Sequence, residues 1–482
     1  MKTAAIFLPY TTYSPSCELT IAHAKRLQSN HQLISLEYGL SPIRSHFNLT
    51  GNFITHTYTL AKQIQFHKYI RNCIKAKFIH MNNSYCKNIF EARESYFYNG
   101  VMSSLASEHR VSSDKELNRF WRKQLIELIN TSIYLYKETV NYIKKNKIEI
   151  VATFNGRFFD SYAVIKAAKD SNINYLVYDL NRSQSQYYFI NCSLHDIKEN
   201  QNKALNFYQR DLKKHIDSAK SYYSKRRNGE RTYERSYTSG QLKNSLPKKL
   251  LNKKVIAVYP SSDDEYRFLG EEFKMKCLDQ AKEIKAMAKY LLNHDSQYHL
   301  AVRMHPNMSN MSITSINKYL ELESLRNIVL IKPLDKTDTY TLLDHSEIII
   351  GFCSSIITEA AYYGKKTLLL GPSPYIGLNM GNEFSSGLEA ARYIYNKKEL
   401  IIPNKNNAMA WAVYINLYND NLPNFSIKNQ EVFFNKIKIP HIILWRLVAA
   451  IPKIFIELKY SNNSYITKKQ KIRFLLLRLK NF

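Results

Sequence analysis

Cysteine is sparse in this chain of 482 residues, and its placement excludes several classes of protein. The six cysteines, Cys17, Cys73, Cys86, Cys192, Cys277 and Cys353, stand at no Cys-x-x-Cys or His-paired spacing, so neither a zinc site nor a disulfide scaffold is expected. They fit free thiols in a reducing cytoplasm. No basic segment followed by an apolar core and a cleavage site opens the chain, which predicts no signal peptide. No Gly-x-Gly-x-x-Gly follows the first apolar run, so a dinucleotide fingerprint is lacking. There is no Asp-x-Asp pair in a suitable loop and no histidine cluster, so no metal and no cofactor is expected. Acidic residues are few, 40 against 69 basic ones, for a formal net charge of +29. That surplus calls for an anionic partner: nucleic acid, an anionic membrane face or a phosphate-bearing substrate. No compact RNA- or DNA-binding motif is present, so nucleic acid is not expected.

What the chain does have is alternation of strand-like and helix-like segments. Its length and 45% apolar content suit two domains with full cores. The most informative stretch opens with Tyr298-His-Leu-Ala-Val-Arg303-Met-His305-Pro306-Asn307. An apolar alternating run that stops in polar groups and a proline predicts a strand delivering side chains at its carboxyl end. A β-branched run over 327–332 and a short helix over 338–344 follow. Next come Glu347-Ile-Ile-Ile-Gly351-Phe-Cys-Ser354-Ser355, a helical run to Gly364, and Lys366-Thr-Leu-Leu-Leu-Gly371. This is the pattern of parallel βαβ units. A helix starting at Ser354-Ser355 turns unpaired amides and a positive dipole end outward, and two hydroxyls beside them suit a phosphate. Glu359, about one turn further, is placed to accept hydrogen bonds from a ribose. Arg303 and His305, two apart, share a strand face, and arginine grips phosphate through paired donors. Asn307 stands next to them. The plainer alternative makes Ser355 a helix cap and His305 a satisfied buried histidine.

The N-terminal half begins in the same style. A strand over 3–8, a helix over 17–27 and a strand over 32–37 make a βαβ start, and residues 51–145 are mostly helical in pattern. Strands over 149–154 and 174–179 flank a helix over 160–171, which puts Asn155, Gly156, Arg157 and Asp179 at neighbouring carboxyl ends, where open parallel sheets bind ligands. Residues 196–250 are polar and lysine-rich, with Ser224-Lys-Arg-Arg-Asn-Gly-Glu-Arg231 at the centre. They read as a helix followed by a solvated, flexible connection, with a boundary at 245–252. Lys254-Val-Ile-Ala-Val-Tyr-Pro260 restarts a strand, and Ser261-Ser262-Asp263-Asp264-Glu265 follows, where Asp263 also suits a first-turn acidic position. The expected domains are 1–248, 249–430 and 431–482. In the last, the apolar stretch over 441–457 is interrupted by Arg446, Pro452 and Lys453, too often for a membrane span. With the basic run over 468–480 it predicts C-terminal amphipathic helices, residues 428–458 packed and 465–482 on an anionic membrane face.

The Arg303-x-His305-Pro306 and Ser354-Ser355 motifs resemble those of bacterial GT-B glycosyltransferases of capsule and surface polysaccharide assembly, a group that includes Kdo transferases and polysialyltransferases. The resemblance covers roughly residues 253 to 375. It implies an α/β fold of two Rossmann-like domains with a cleft between them. It also implies that Arg303, Asn307, Ser354, Ser355, Glu359, Ser261 and Ser262 bind a nucleotide-sugar donor and that His305 takes part in catalysis. Asn155 and Arg157 would bind the acceptor, and Asp264, Glu265 or Asp179 would deprotonate its hydroxyl. The implied enzyme moves a sugar onto a lipid-linked glycan at the inner face of the cytoplasmic membrane. The polyol-phosphate transferases of teichoic acid synthesis carry a similar pair of motifs, with an aspartate where this chain has Glu359. A nucleotide-sugar epimerase shares the architecture, and a basic, non-catalytic binding protein is the alternative outside enzymes.

Overall fold

The computed structural model describes residues 2–7, 24, 27, 30–38, 77–81, 96–109, 111, 122–180, 186–190, 196–230, 232, 237–238, 240–266, 268–269, 279–371, 373–418, 420–421, 425–428, 431–434 and 437–438. Two open sheets carry the fold. The first is built from β1 (Lys2–Phe7), β2 (His31–Tyr38), β3 (Lys77–Met81), β4 (Ile148–Phe154), β5 (Asn174–Leu180) and β6 (Gln186–Ile190), with helices α1 (Tyr98–His109), α2 (Arg122–Asn146) and α3 (Phe159–Asp170). Strands β3-β2-β1-β4-β5 run parallel in that order, and β6 follows antiparallel to β5. This is the doubly wound order of Rossmann-like folds. The pattern of residues 51–145 is mostly helical and predicts no strand there, yet β3 lies within it; five residues with one β-branched side chain give too short a period-2 signal to be read. The helix expected over 17–27 falls almost entirely outside the described residues.

Helices α1, α2 and α3 cover one face of this sheet. Their buried Val101, Leu105, Leu128, Ile129, Val164 and Ala167 pack on Ala5, Phe7 and Val151. Gly100 lets α1 approach α3, since a Cβ there would stand 2.9 Å from the Tyr162 ring.

The second sheet has order β12-β11-β10-β7-β8-β9 and is parallel throughout: β7 (Lys254–Tyr259), β8 (Tyr298–Arg303), β9 (Ile328–Ile331), β10 (Ile348–Gly351), β11 (Lys366–Leu370) and β12 (Asn382–Phe384). Both faces are buried, so the strands are apolar through most of their length, with polar residues mainly toward their ends, and the period of two decides which core each apolar side chain joins. Ile256, Val258, Leu300, Val302, Ile350 and Leu368 enter one core. Val255, Ala257, Tyr259, Ala301, Ile349 and Leu369 enter the other.

Helices α4 (Ile197–Gln209) and α5 (Leu212–Arg227) precede residue 248, where the chain was expected to divide, yet they pack on the second unit. Ala204, Tyr222 and Tyr223 join its core with Ala408, Trp411 and Ala412 of the helix Lys405–Leu417. The Tyr223 ring stacks on Tyr362 at 4.1 Å, and its hydroxyl donates to the Ala408 carbonyl at 2.7 Å. Ser224 to Arg227, expected in a flexible connection, are therefore the last turn of a packed helix. Residues after it are tied down as well: the Leu242 amide donates to Lys336 O at 2.8 Å and Asp338 N to Ser245 O at 3.0 Å.

Between β7 and β8 lie the short helix α6 (Asp263–Tyr266) and the long α7 (Gln280–Asn293). Helix α6 packs on α1, and Phe268 is buried in the first core, so this connection joins the two units. After β8 come α8 (Ile313–Leu320), α9 (Thr339–His345), α10 (Ile356–Tyr362), α11 (Gly387–Tyr395) and α12 (Lys405–Leu417). Beyond them β13 (Asp420–Asn421) returns to pair with β6. Strands β14 (Phe425–Lys428), β15 (Glu431–Phe434) and β16 (Ile437–Lys438) form an antiparallel sheet where helices were expected from residue 431. The amphipathic helices expected beyond residue 438 lie outside the described residues. No described helix is long and apolar enough to cross a membrane.

Candidate functional site

The strand order places β10, β7 and β8 side by side, so the residues after their carboxyl ends converge. Ser261 and Ser262 follow β7, Arg303 and His305 end β8, and Ser354 and Ser355 follow β10. All six, with Asn307 and Glu359, line one cavity of about 150 Å³. Its far wall comes from elements outside the strand ends: Arg226 at the end of α5, and Tyr237, Thr238 and Gln241 after it.

Arg303 is the electrostatic centre. It is 4% exposed; Nη2 donates to the Asp335 carbonyl at 3.4 Å, while Nη1, also buried, has no hydrogen-bond partner among the described residues. Among the described residues no carboxylate forms an ion pair with it. Burial draws its pKa down from the ordinary value, and the charges of Tyr259, Asp335 and Asp338 oppose that. A guanidinium does not deprotonate in a protein, so the wall carries a fixed positive charge. An unpartnered buried donor of this kind is costly unless a ligand fills its coordination.

His305 is held by its neighbour. The Asn307 amide donates to Nδ1 at 3.1 Å, which reserves that nitrogen as an acceptor and places the proton of the neutral ring on Nε2. The ring meets Tyr237 edge-on, with centroids 4.8 Å apart. In this tautomer Nε2 donates a hydrogen bond and cannot take a proton. His305 is thus suited to stabilise developing negative charge and unsuited to act as the base.

The turn after β10 is shaped by close packing. A Cβ on Gly351 would overlap the side chain of Ile357, so glycine is what lets α10 start directly against the strand end. Cys353 follows at φ 52°, a left-handed conformation rare for a side-chain-bearing residue. Ser355 then occupies the cap position of α10, but its side chain makes no cap hydrogen bond. Its hydroxyl is therefore not used by its own helix. Across the cavity, Gln280 holds the Ser261 turn: its Oε1 accepts from the Ser261 amide at 2.9 Å and its Nε2 donates to Ser261 Oγ at 3.2 Å. Gln280 Nε2 also donates to Asp263, which is buried and accepts from the Tyr319 hydroxyl at 3.4 Å.

Glu359, expected to meet a ribose, is 1% exposed and already engaged. Its Oε1 accepts from Arg226 Nε at 2.9 Å and lies 2.8 Å from Arg226 Nη2, and its Oε2 accepts from the Tyr340 hydroxyl at 2.6 Å. Burial, then the charge of Glu359, raises the pKa of Tyr340, so its phenol stays protonated as the donor. Glu359 thus fixes Arg226 in the wall. Since that pair is neutral, the net charge facing the cavity from these arginines and this glutamate is that of Arg303.

The residues expected to meet the acceptor form a separate cluster on the first sheet. Asn155 (φ 60°) ends β4 and donates through Nδ2 to Asp179 Oδ2 at 2.5 Å. Arg157 lies over the Phe158 ring at 4.7 Å and donates to Ser107 Oγ of α1 at 3.3 Å. Helix α1 packs on α6 as well, so it touches both this cluster and the short helix that follows the Ser261 turn. Asp264 and Glu265 belong to α6; their side chains lie outside the described set. Among the described residues no group of three or more His, Cys, Asp or Glu side chains is assembled that could hold a metal ion. Arg226, Gln280, Tyr237 and Gln241 were not singled out from the sequence. Only the arginine run gave a signal, and its lysine-rich surroundings masked it.

The sequence matches no protein-family model and no curated protein. Among solved structures, the chain is similar to the beta Kdo 2,4 transferase of KpsC from Thermosulfurimonas dismutans: 14% identity, 63% of this chain and 87% of that one covered, TM-score 0.39. The beta Kdo 2,7 transferase of the same KpsC has 11% identity over 65% and 89% of the two chains, TM-score 0.36. A UDP-GlcNAc 2-epimerase from Neisseria meningitidis bound to UDP-GlcNAc has 12% identity over 85% and 94%, TM-score 0.25.

Proposed function

We propose that this chain is a GT-B glycosyltransferase that moves a sugar from a nucleotide-activated donor to a lipid-linked or oligosaccharide acceptor of a bacterial surface polysaccharide, working at the inner face of the cytoplasmic membrane. The observation that carries the reading is Arg303, a buried guanidinium with an unpartnered donor facing a cavity that also holds the Ser354 and Ser355 hydroxyls and the His305 ring. A phosphate supplies the acceptor oxygens this set lacks. The likeness of the His-Pro and Ser-Ser motifs to those of polysaccharide transferases supports the same assignment.

In the proposed reaction, the acceptor hydroxyl oxygen attacks the anomeric carbon while the bond from that carbon to the donor phosphate breaks. The bonding pair leaves on the phosphate oxygen. Arg303 and the serine hydroxyls neutralise it, and His305 Nε2–H donates to it. The hydroxyl proton passes to a carboxylate, Asp179 or one of Asp264 and Glu265. Asn155 orients Asp179 for that role.

Thermal unfolding in the presence of CMP, CDP, UDP, GDP and their sugar conjugates tests the assignment. A ligand that binds only the folded state raises the melting point, and the shift should vanish in Arg303→Ala. Absence of a shift with every nucleotide would sink the reading. Labelled-product analysis then separates a lengthened glycan from an isomerised nucleotide sugar or a phosphodiester-linked polyol.

A further inference from the structure

We infer that the loop between α11 and α12, residues 396–404, is a docking surface for anionic lipid headgroups. Its tip is apolar and stands in water: Ile402 is 90% exposed and Ile401 42%, and Tyr395 at the end of α11 is 41% exposed. The tip is also pinned. The Ile401 amide donates to Asn382 Oδ1 at 2.9 Å, the Asn404 amide to Asn379 O at 2.8 Å, and the Tyr393 hydroxyl to Glu399 O at 2.7 Å. Asn404 in turn caps α12, accepting from the Asn406 and Asn407 amides. The backbone is held and the isoleucines are displayed.

The surroundings say what covers them. Lys397 and Lys398 precede the tip and are exposed. Asn382, which anchors Ile401, is the first residue of β12, so the loop sits at the end of the sheet from which its parallel strands start. Two other strands start there with exposed lysines, Lys254 of β7 and Lys366 of β11. The acidic groups at this end include Glu399, Asp295, Glu347 and Asp344; Glu347 already accepts from the Tyr298 hydroxyl at 2.8 Å and Asp344 is paired with Arg227, against the lysines Lys254, Lys365, Lys366, Lys397 and Lys398. Apolar side chains that enter the headgroup layer, ringed by lysines that meet lipid phosphates, are the chemistry of an interfacial anchor. A second copy related by a two-fold axis would set Lys397 and Lys398 of the two chains against each other, and exposed isoleucines give nothing to a nucleic acid.

Sedimentation of the full-length protein with vesicles of phosphatidylcholine, with and without phosphatidylglycerol, tests this. The wild type should partition onto the anionic vesicles only. The Ile402→Ser variant should lose about tenfold in partition coefficient, with its melting temperature unchanged because this side chain, 90% exposed, stays in water on folding. Lys397→Gln with Lys398→Gln should weaken binding at low salt and little at high salt. Binding of the serine variant equal to wild type would overturn the assignment in favour of another segment, such as 465–482. It is equally overturned if no vesicle is bound, or if the serine variant abolishes a concentration-dependent dimer in sedimentation velocity.

Discussion

At the scale of single residues, the site is built on one costly choice, a buried charge with no counter-ion among the described residues. Arg303→Met should therefore stabilise the unliganded protein, by about 1–2 kcal/mol in urea unfolding, while removing all stabilisation by nucleotide. A loss of stability in the apo protein would mean that Arg303 has a structural partner. For His305 the prediction follows from its tautomer. His305→Ala should lower kcat roughly a hundredfold, and His305→Gln, which keeps an N–H donor, should retain more; equal loss would favour proton transfer over hydrogen bonding. Both residues were legible in the sequence, because a polar pair two apart at the end of an apolar strand has few other uses. Arg226 and Gln280 were not. They lie 77 and 23 residues from Arg303 by the numbering, and what brings them to the cavity is helix packing, which leaves no local pattern to read.

At the scale of elements, the turn from β10 into α10 depends on the missing side chain of Gly351. Gly351→Ala should destabilise the protein by about 1–3 kcal/mol through overlap with Ile357. Adding Ile357→Ala, which leaves room for the new methyl group, should recover part of that loss in chemical denaturation; strict additivity of the two costs would mean that they do not meet. Helix α5 is tied to α10 by Arg226 and Glu359. Arg226→Ala strands a buried carboxylate, at a cost of about 3–5 kcal/mol, and Glu359→Gln in the same chain should return much of it. The strands of the second sheet other than β12 were legible as apolar runs ending in polar residues, whereas β12, three residues long, lies where the sequence reads as a loop. The short β3 and β6 were not legible, and neither was the helical end of 224–227, where lysines and arginines look the same in a helix as in a solvated coil.

At the scale of the whole molecule, the second unit takes its core from sequence on both sides of residue 248. A fragment spanning 196–418 should fold cooperatively, as followed by circular dichroism, whereas 249–418, lacking Ala204, Tyr222 and Tyr223, should not. Independent folding of the shorter piece would show that α4 and α5 are accessories. The molecule should also lose stability in alkali. The pKa of Tyr298 is pushed up to about 12 by burial and the adjacent Glu347, and burial raises those of Tyr259, Tyr319 and Tyr340. Unfolded tyrosines release their protons near pH 10, the folded ones higher. The unfolded state therefore binds fewer protons above that pH, and the stability present below it declines as pH rises. Tyrosinate absorbance should then appear together with unfolding; ionisation well before unfolding would contradict the buried hydroxyls.

The chain leaves the first sheet after β6 to enter α4 and comes back from α12 to lay β13 on that same β6. The outgoing and returning passages are neighbours, as the Phe207 and Tyr418 rings, 5.3 Å apart, attest. With α6 packed on α1 and Phe268 buried in the first core, the halves are joined at a third place as well, and three separate attachments oppose twisting or sliding of one half on the other.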